Sequence, residues 1–232
     1  MLKKELNESI INNISEFISP LGFKPKKNFD QIRFVRKLSS GFEYLAISSS
    51  NYYDTHYLNY GFGKRIESIE KIVLLLEAFF EPNLFLTSKS TSTYYLNATY
   101  YTKDYDRHKQ PITDEESLMY HIDIIKDVTQ NFALDLFQKL DDINYVDHQI
   151  NGEGANFWLN ETNKPFGLHS FETYRIIIAK LVKSAEEYKK FIEKIMALEE
   201  EKLIELKKQE QYKNLTLEEL FIPRAIKKIE EI

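Results

Sequence analysis

The residues with the best spacing for a cation are Asp104-x-Asp106-x-His108. In extended backbone alternate residues share a side, so two carboxylates and an imidazole would converge. Lys103, Arg107 and Lys109 flank them and oppose a cation. An exposed loop between Tyr101 and a helix starting near residue 114 accounts for the same residues. Asp54-Thr55-His56 and Asp147-His148 place a carboxylate beside an imidazole, the raw material of acid–base chemistry. Adjacent side chains on a strand point to opposite faces, so solvated loop residues account for both pairs. His121 and His169 sit beside apolar helical positions, as core or capping histidines do.

The motifs of catalysis are otherwise missing. The chain has no Gly-x-Ser-x-Gly elbow, no phosphate loop and no His-Glu-x-x-His pair. Gly61-x-Gly63 and Gly152-x-Gly154 do not extend into dinucleotide fingerprints. No cysteine is present, which excludes thiolate chemistry and disulfides. No catalytic residue, metal site or cofactor is expected.

Two charged sets remain. Lys24, Lys26, Lys27, Arg33, Arg36, Lys37, Lys64 and Arg65 crowd the first third, interleaved with Phe29, Phe34, Tyr44 and Tyr60. On one sheet face they would bind anions and stack bases, with Lys27, Arg33, Arg36 and Arg65 as the anion-binding group. The alternative puts the aromatics in the core and the cations in water. The second set is Asp123, Asp127 and Asp135, at helical spacings with Asn131 between them. Together with Asp114, Glu115, Glu116, Asp141 and Asp142 they face only Lys126 and Lys139. Such a stripe is either a docking surface for a basic protein or a solvated helix face.

These residues need elements to hold them. Leu6, Ile10, Ile14 and Phe17 predict a helix over 3–18, stopped by Pro20 and Gly22. Lys24-Pro25-Lys26-Lys27 reads as a basic loop. Alternation predicts strands at 31–38 and 41–49, joined by Ser39-Ser40-Gly41. A third strand, 55–64, carries His56, Leu58, Tyr60 and Phe62 on one face. A helix over 68–80 follows, then a strand pair at 84–89 and 93–102. Thr113-Asp114-Glu115-Glu116 has the pattern of a capping box and opens a helix to about Asp142, with Leu118, Ile122, Ile125, Phe132, Leu136 and Leu140 on one side. Residues 145–168 read as irregular. From Ser170 to about Tyr212 the pattern fits one helix, or two broken at the box Ser184-Ala185-Glu186-Glu187. Apolar spacing over 184–212 allows a homodimer through that segment. Thr216-Leu217-Glu218-Glu219 opens a last short helix, interrupted or restarted at Pro223.

The expected fold is α+β: an antiparallel sheet with helices on one face and a long-helix C-terminal extension. Residues 1–168 form the α+β domain, and 169–232 a helical region packed on it or projecting from it. Charge is uneven within a net of −5. Residues 1–65 hold ten Lys/Arg against six Asp/Glu, and the remainder twenty-one against thirty. That acidity works against nucleic-acid binding. The N-terminus is not a signal peptide and no apolar run spans a membrane, so a cytoplasmic location is expected.

Pro20-Leu21-Gly22-Phe23 after the first helix, Arg33-Phe34 on a strand, and Tyr60-Gly61-Phe62-Gly63-Lys64-Arg65 closing another resemble small bacterial α+β proteins. Some of these are similar to immunity proteins of polymorphic-toxin loci. The resemblance covers residues 3–102 and implies binding and neutralising a cognate toxin, without catalysis. The readings that follow are a non-enzymatic protein-binding module, an accessory or enzyme of nucleic-acid processing using the basic aromatic sheet, or a structural component assembling through 184–212.

Overall fold

The structure is a computed structural model that describes residues 3–28, 31–52, 55–80, 93–97, 110–152 and 171–232. The chain divides into two compact units, one of Met1–Ile66 with Ser92–Asp141, the other of Glu67–Thr91 with Asp142–Ile232. The fold is α+β.

The first unit begins with α1 (Lys3–Ile18), whose Leu6, Ile10, Ile14 and Ile18 are fully buried at a four-residue repeat. Each such burial contributes roughly 1.5–3 kcal/mol. One turn of 3₁₀-helix (Ser19–Leu21) follows, and Gly22 closes it at φ 88°. That left-handed backbone favours glycine. Five strands then pair antiparallel in chain order: β1 (Lys24–Asn28), β2 (Gln31–Leu38), β3 (Gly41–Tyr52), β4 (Thr55–Ile66) and β5 (Tyr94–Asn97). The expected basic loop is therefore the edge strand β1. Pro25 is tolerated because an edge strand need not donate on both sides.

Register assigns the faces. Phe34, Leu45, Phe62 and Leu96 lie in one cross-strand row, and Ile32, Ile47 and Tyr60 in the next. This face is the core face, covered by α1 and by α3 (Glu115–Val128), whose Leu118, Ile122, Ile125 and Val128 are buried. The cap of α3 differs from the expected box. Asp114 accepts from the Ser117 backbone N–H at 2.8 Å, and the Ser117 hydroxyl accepts from the Asp114 N–H at 3.1 Å. Ser117 thus holds the position expected of Glu116. The helix continues through a π turn (Thr129–Ala133) into α4 (Leu134–Lys139). At its start, buried Thr129 Oγ1 donates to the Ile125 carbonyl at 2.6 Å. Such back-bonding competes with the helical ladder. The extra residue turns Phe137 into the core beside Leu136.

The second unit is helical among its described residues. It contains α2 (Glu67–Phe80), α5 (Ile143–Asn151), α6 (Phe171–Val182), α7 (Ala185–Leu206) and α8 (Phe221–Glu230). Helix α5 replaces the first part of the expected irregular stretch, and Asp142 caps it by accepting from Asn144 N–H at 2.9 Å. The 170–212 pattern resolves into two helices. Ser184 breaks them and forms the expected box with Glu187. Thr216 and Glu219 also form theirs, over one 3₁₀ turn, and Pro223 stands in the first turn of α8, where a missing N–H costs nothing. The proposed strand at 84–89, residues 98–102 of the next strand and the Ser170 cap lie outside the described residues.

Candidate functional site

The first unit separates its charges by layer. On the outer side of α3 and α4, Asp123, Asp127 and Asp135 are exposed, opposite the buried stripe that packs on the sheet. Asp127 accepts from the Asn131 side-chain amide at 2.7 Å, and Asp135 pairs with Lys139 at 2.6 Å. Among the described residues, Asp123 and Asp127 have no cationic partner. Tyr120, 39% exposed, and exposed Glu116 extend this face toward the start of α3. The helical repeat alone made the stripe visible, and the structure brings its members together.

The basic group is divided between the two faces of the sheet. Arg33 and Arg65 are on the sheet face opposite α1 and α3, and Arg36 is on the core face. Strand alternation forces this, since 33 and 36 differ by an odd number. Arg36 binds Glu43 through Nε at 2.7 Å and Nη2 at 2.6 Å, donates to the Leu21 carbonyl, and lies over the Phe23 ring. Arg65 is only 4% exposed. Of Lys27, the structure describes only its backbone pairing with Ile32. Lys27, Arg33, Arg36 and Arg65 therefore do not form one anion site. The aromatics divide too. Phe34 and Tyr60 enter the core, whereas Tyr44 shares the outer face with Arg33, whose guanidinium lies 5.0 Å from its ring centroid.

Lys64 is buried beneath the sheet's core face. It is 1% exposed, in phase with Tyr60 and Phe62. Its ammonium donates to Glu43 at 2.9 Å, Asp141 at 2.8 Å and the Phe137 carbonyl at 2.6 Å. All three protons are used, so this lysine ties the sheet to the end of α4 and is not poised for chemistry.

The described histidines are His56, His121 and His148. His56 Nδ1 donates to Asn51 Oδ1 at 2.6 Å on the core side of β4. His121 Nε2 donates to the Gln110 carbonyl at 2.9 Å, and burial holds its pKa below the ordinary value of 6.5. Asp147 is buried on α5, not solvated in a loop. It pairs with Lys183 at 2.6 Å and Asn151 at 2.8 Å, while His148 is exposed. No acid–base dyad forms there. Asp54, Asp104, Asp106, His108 and His169 lie outside the described residues. Among the described residues no three His, Asp or Glu side chains are grouped to hold a metal.

Within the second unit, a cleft of about 480 Å³ is lined by Phe79, Met196, Arg224, Lys227 and the ion pair Lys228–Glu231. On α7, Leu198 and Ile204 are exposed. Six residues apart, they point about 120° from each other around the helix and form no continuous seam. No described helix is long and apolar enough to cross a membrane. No protein-family model, curated protein or solved structure matches the chain.

Proposed function

We propose that the protein is a non-enzymatic binding module, of the toxin-neutralising or accessory kind, whose acidic α3–α4 face docks onto a basic protein partner. The observation that carries this reading is that Asp123, Asp127 and Asp135 share one exposed face of a helix whose other side is locked into the core. A rigid backing holds the charges at fixed spacing, so little ordering cost accompanies association. A row of like charges also raises encounter rates with a basic surface and rejects acidic ones. Among the described histidines, His56 and His121 each make one hydrogen bond, to the Asn51 side chain and the Gln110 carbonyl, and His148 is exposed without a carboxylate partner.

The test is to co-express the chain with the products of the genes flanking its own and purify through a tag. A basic product should co-purify with the natural chain and not with D123K/D127K/D135K. Equal recovery with the reversed variant removes the acidic face from the reading.

A further inference from the structure

The sheet face opposite α1 and α3 has an unusual composition for an acidic chain. Register places Lys24 and Lys26 of β1, and Gln31, Arg33, Val35 and Lys37 of β2, on it. Phe42, Tyr44, Ala46, Ser48 and Ser50 of β3 join them, as do Tyr57, Asn59, Gly61, Gly63 and Arg65 of β4 and Tyr95 of β5. None of these residues is acidic. The one carboxylate of the paired strands near them, Glu43, points to the core face, where Lys64 and Arg36 neutralise it.

The cations at the β1–β2 end are accessible. Lys24, Lys26 and Lys37 are exposed and, among the described residues, none of the three is in an ion pair. Lys26 stands directly opposite Arg33, whose Nε donates to the Gln31 amide oxygen at 2.9 Å. Beside this row runs a line of rings. Phe42 and Tyr44 have centroids 6.1 Å apart, and Tyr44 and Tyr95 stack at 6.3 Å with planes 15° apart. Tyr44 is covered, but Phe42 and Tyr95 are half-buried, and Arg33 presents its own planar cation above Tyr44.

We infer that this face binds single-stranded nucleic acid: phosphates along Lys24, Lys26, Arg33 and Lys37, with a base stacked on Phe42. Cations tracking a backbone beside aromatic platforms are the general means of holding single strands. A duplex hides the faces of its bases and cannot use Phe42 in this way. An acidic peptide would use the cations and leave the ring idle. The site differs from the group expected from sequence, because Arg36 is spent on Glu43 and exposed Lys24, Lys26 and Lys37 replace it. It is independent of the acidic α3–α4 face on the opposite side of the unit.

The experiment is anisotropy titration of the full chain against labelled oligothymidylate, oligouridylate, a mixed-sequence duplex and polyglutamate. Both single strands should bind, with log K falling against log salt at a slope of about −3 for four phosphate contacts. K24E/K26E should weaken binding more than ~10-fold and flatten that slope, and F42A should weaken it ~5-fold or more. A preference for one strand would tell RNA from DNA. Unchanged urea midpoints keep misfolding apart from lost binding. The inference is overturned if neither strand binds at low salt, if K24E/K26E binds normally, or if duplex or polyglutamate binds as tightly with F42A unaffected.

Discussion

Lys64 Nζ lies 2.9 Å from Glu43 Oε1, and both side chains are 1% exposed. A buried ion pair gains little over apolar packing, but breaking one side strands a charge. Lys64→Met should therefore cost about 3–5 kcal/mol of unfolding free energy. Glu43→Leu with Lys64→Met should recover part of that loss, although Arg36 then loses its partner. Urea denaturation of the three proteins measures both effects.

Tyr44 lies flat on Gly63, where a Cβ would fall 2.2 Å from its Cζ. Gly63→Ala must displace the ring and disturb its contacts with Arg33 and Tyr95. Overpacking of this kind costs about 1–3 kcal/mol. The same variant should shift the near-ultraviolet circular dichroism of the tyrosines.

His121 is fully buried with its pKa depressed by burial. The folded chain thus binds fewer protons than the unfolded one once pH drops below the ordinary histidine value. Stability should fall as pH drops from about 6.5 toward 5. His121→Gln, which can still donate to the Gln110 carbonyl, should flatten that part of the urea-midpoint profile. The capping carboxylates Asp114, Asp142, Glu187 and Glu219 are held below their usual range by hydrogen bonds to their own helix starts. Their contribution is lost only at lower pH, as acid protonates them, so the two effects separate.

Ser184 accepts from the Glu187 N–H at 3.4 Å and donates to the Glu187 carboxylate at 2.6 Å, starting α7 where α6 has ended. Ser184→Ala should cost about 1 kcal/mol. Ser184→Asp should largely restore the cap. Thermal melts of the pair give the comparison.

The regular parts of the fold were legible because burial imposes a period on them. Ile32 and Phe34 alternate at the start of strand 31–38, and Leu6, Ile10 and Ile14 mark α1. The boxes at Ser184 and Thr216 could be read because capping depends on residues three apart. Strand β1 was not legible, since Lys-Pro-Lys-Lys carries no apolar alternation and owes its pairing to β2. Nor was the Asp114–Ser117 cap, because two overlapping boxes compete at that helix start and only geometry chooses. The acidic face was readable from spacing alone. The division of the cations was half readable: alternation separates Arg33 from Arg36, but Glu43 decides which of them is neutralised. Lys64 had a signal that propensity obscured, namely its even spacing from Tyr60 and Phe62.

The docking reading rests on three exposed aspartates, and their neutralisation tests it without touching the fold. D123N/D127N/D135N should change stability by no more than about 0.5 kcal/mol. The most direct measurement is titration of the natural and neutralised chains with a basic flanking-gene product at low and moderate salt. The acidic-face account predicts a complex weakened by salt and about 100-fold weaker for the neutralised chain. Equal affinity of the two chains, or no complex with any flanking product, would contradict it.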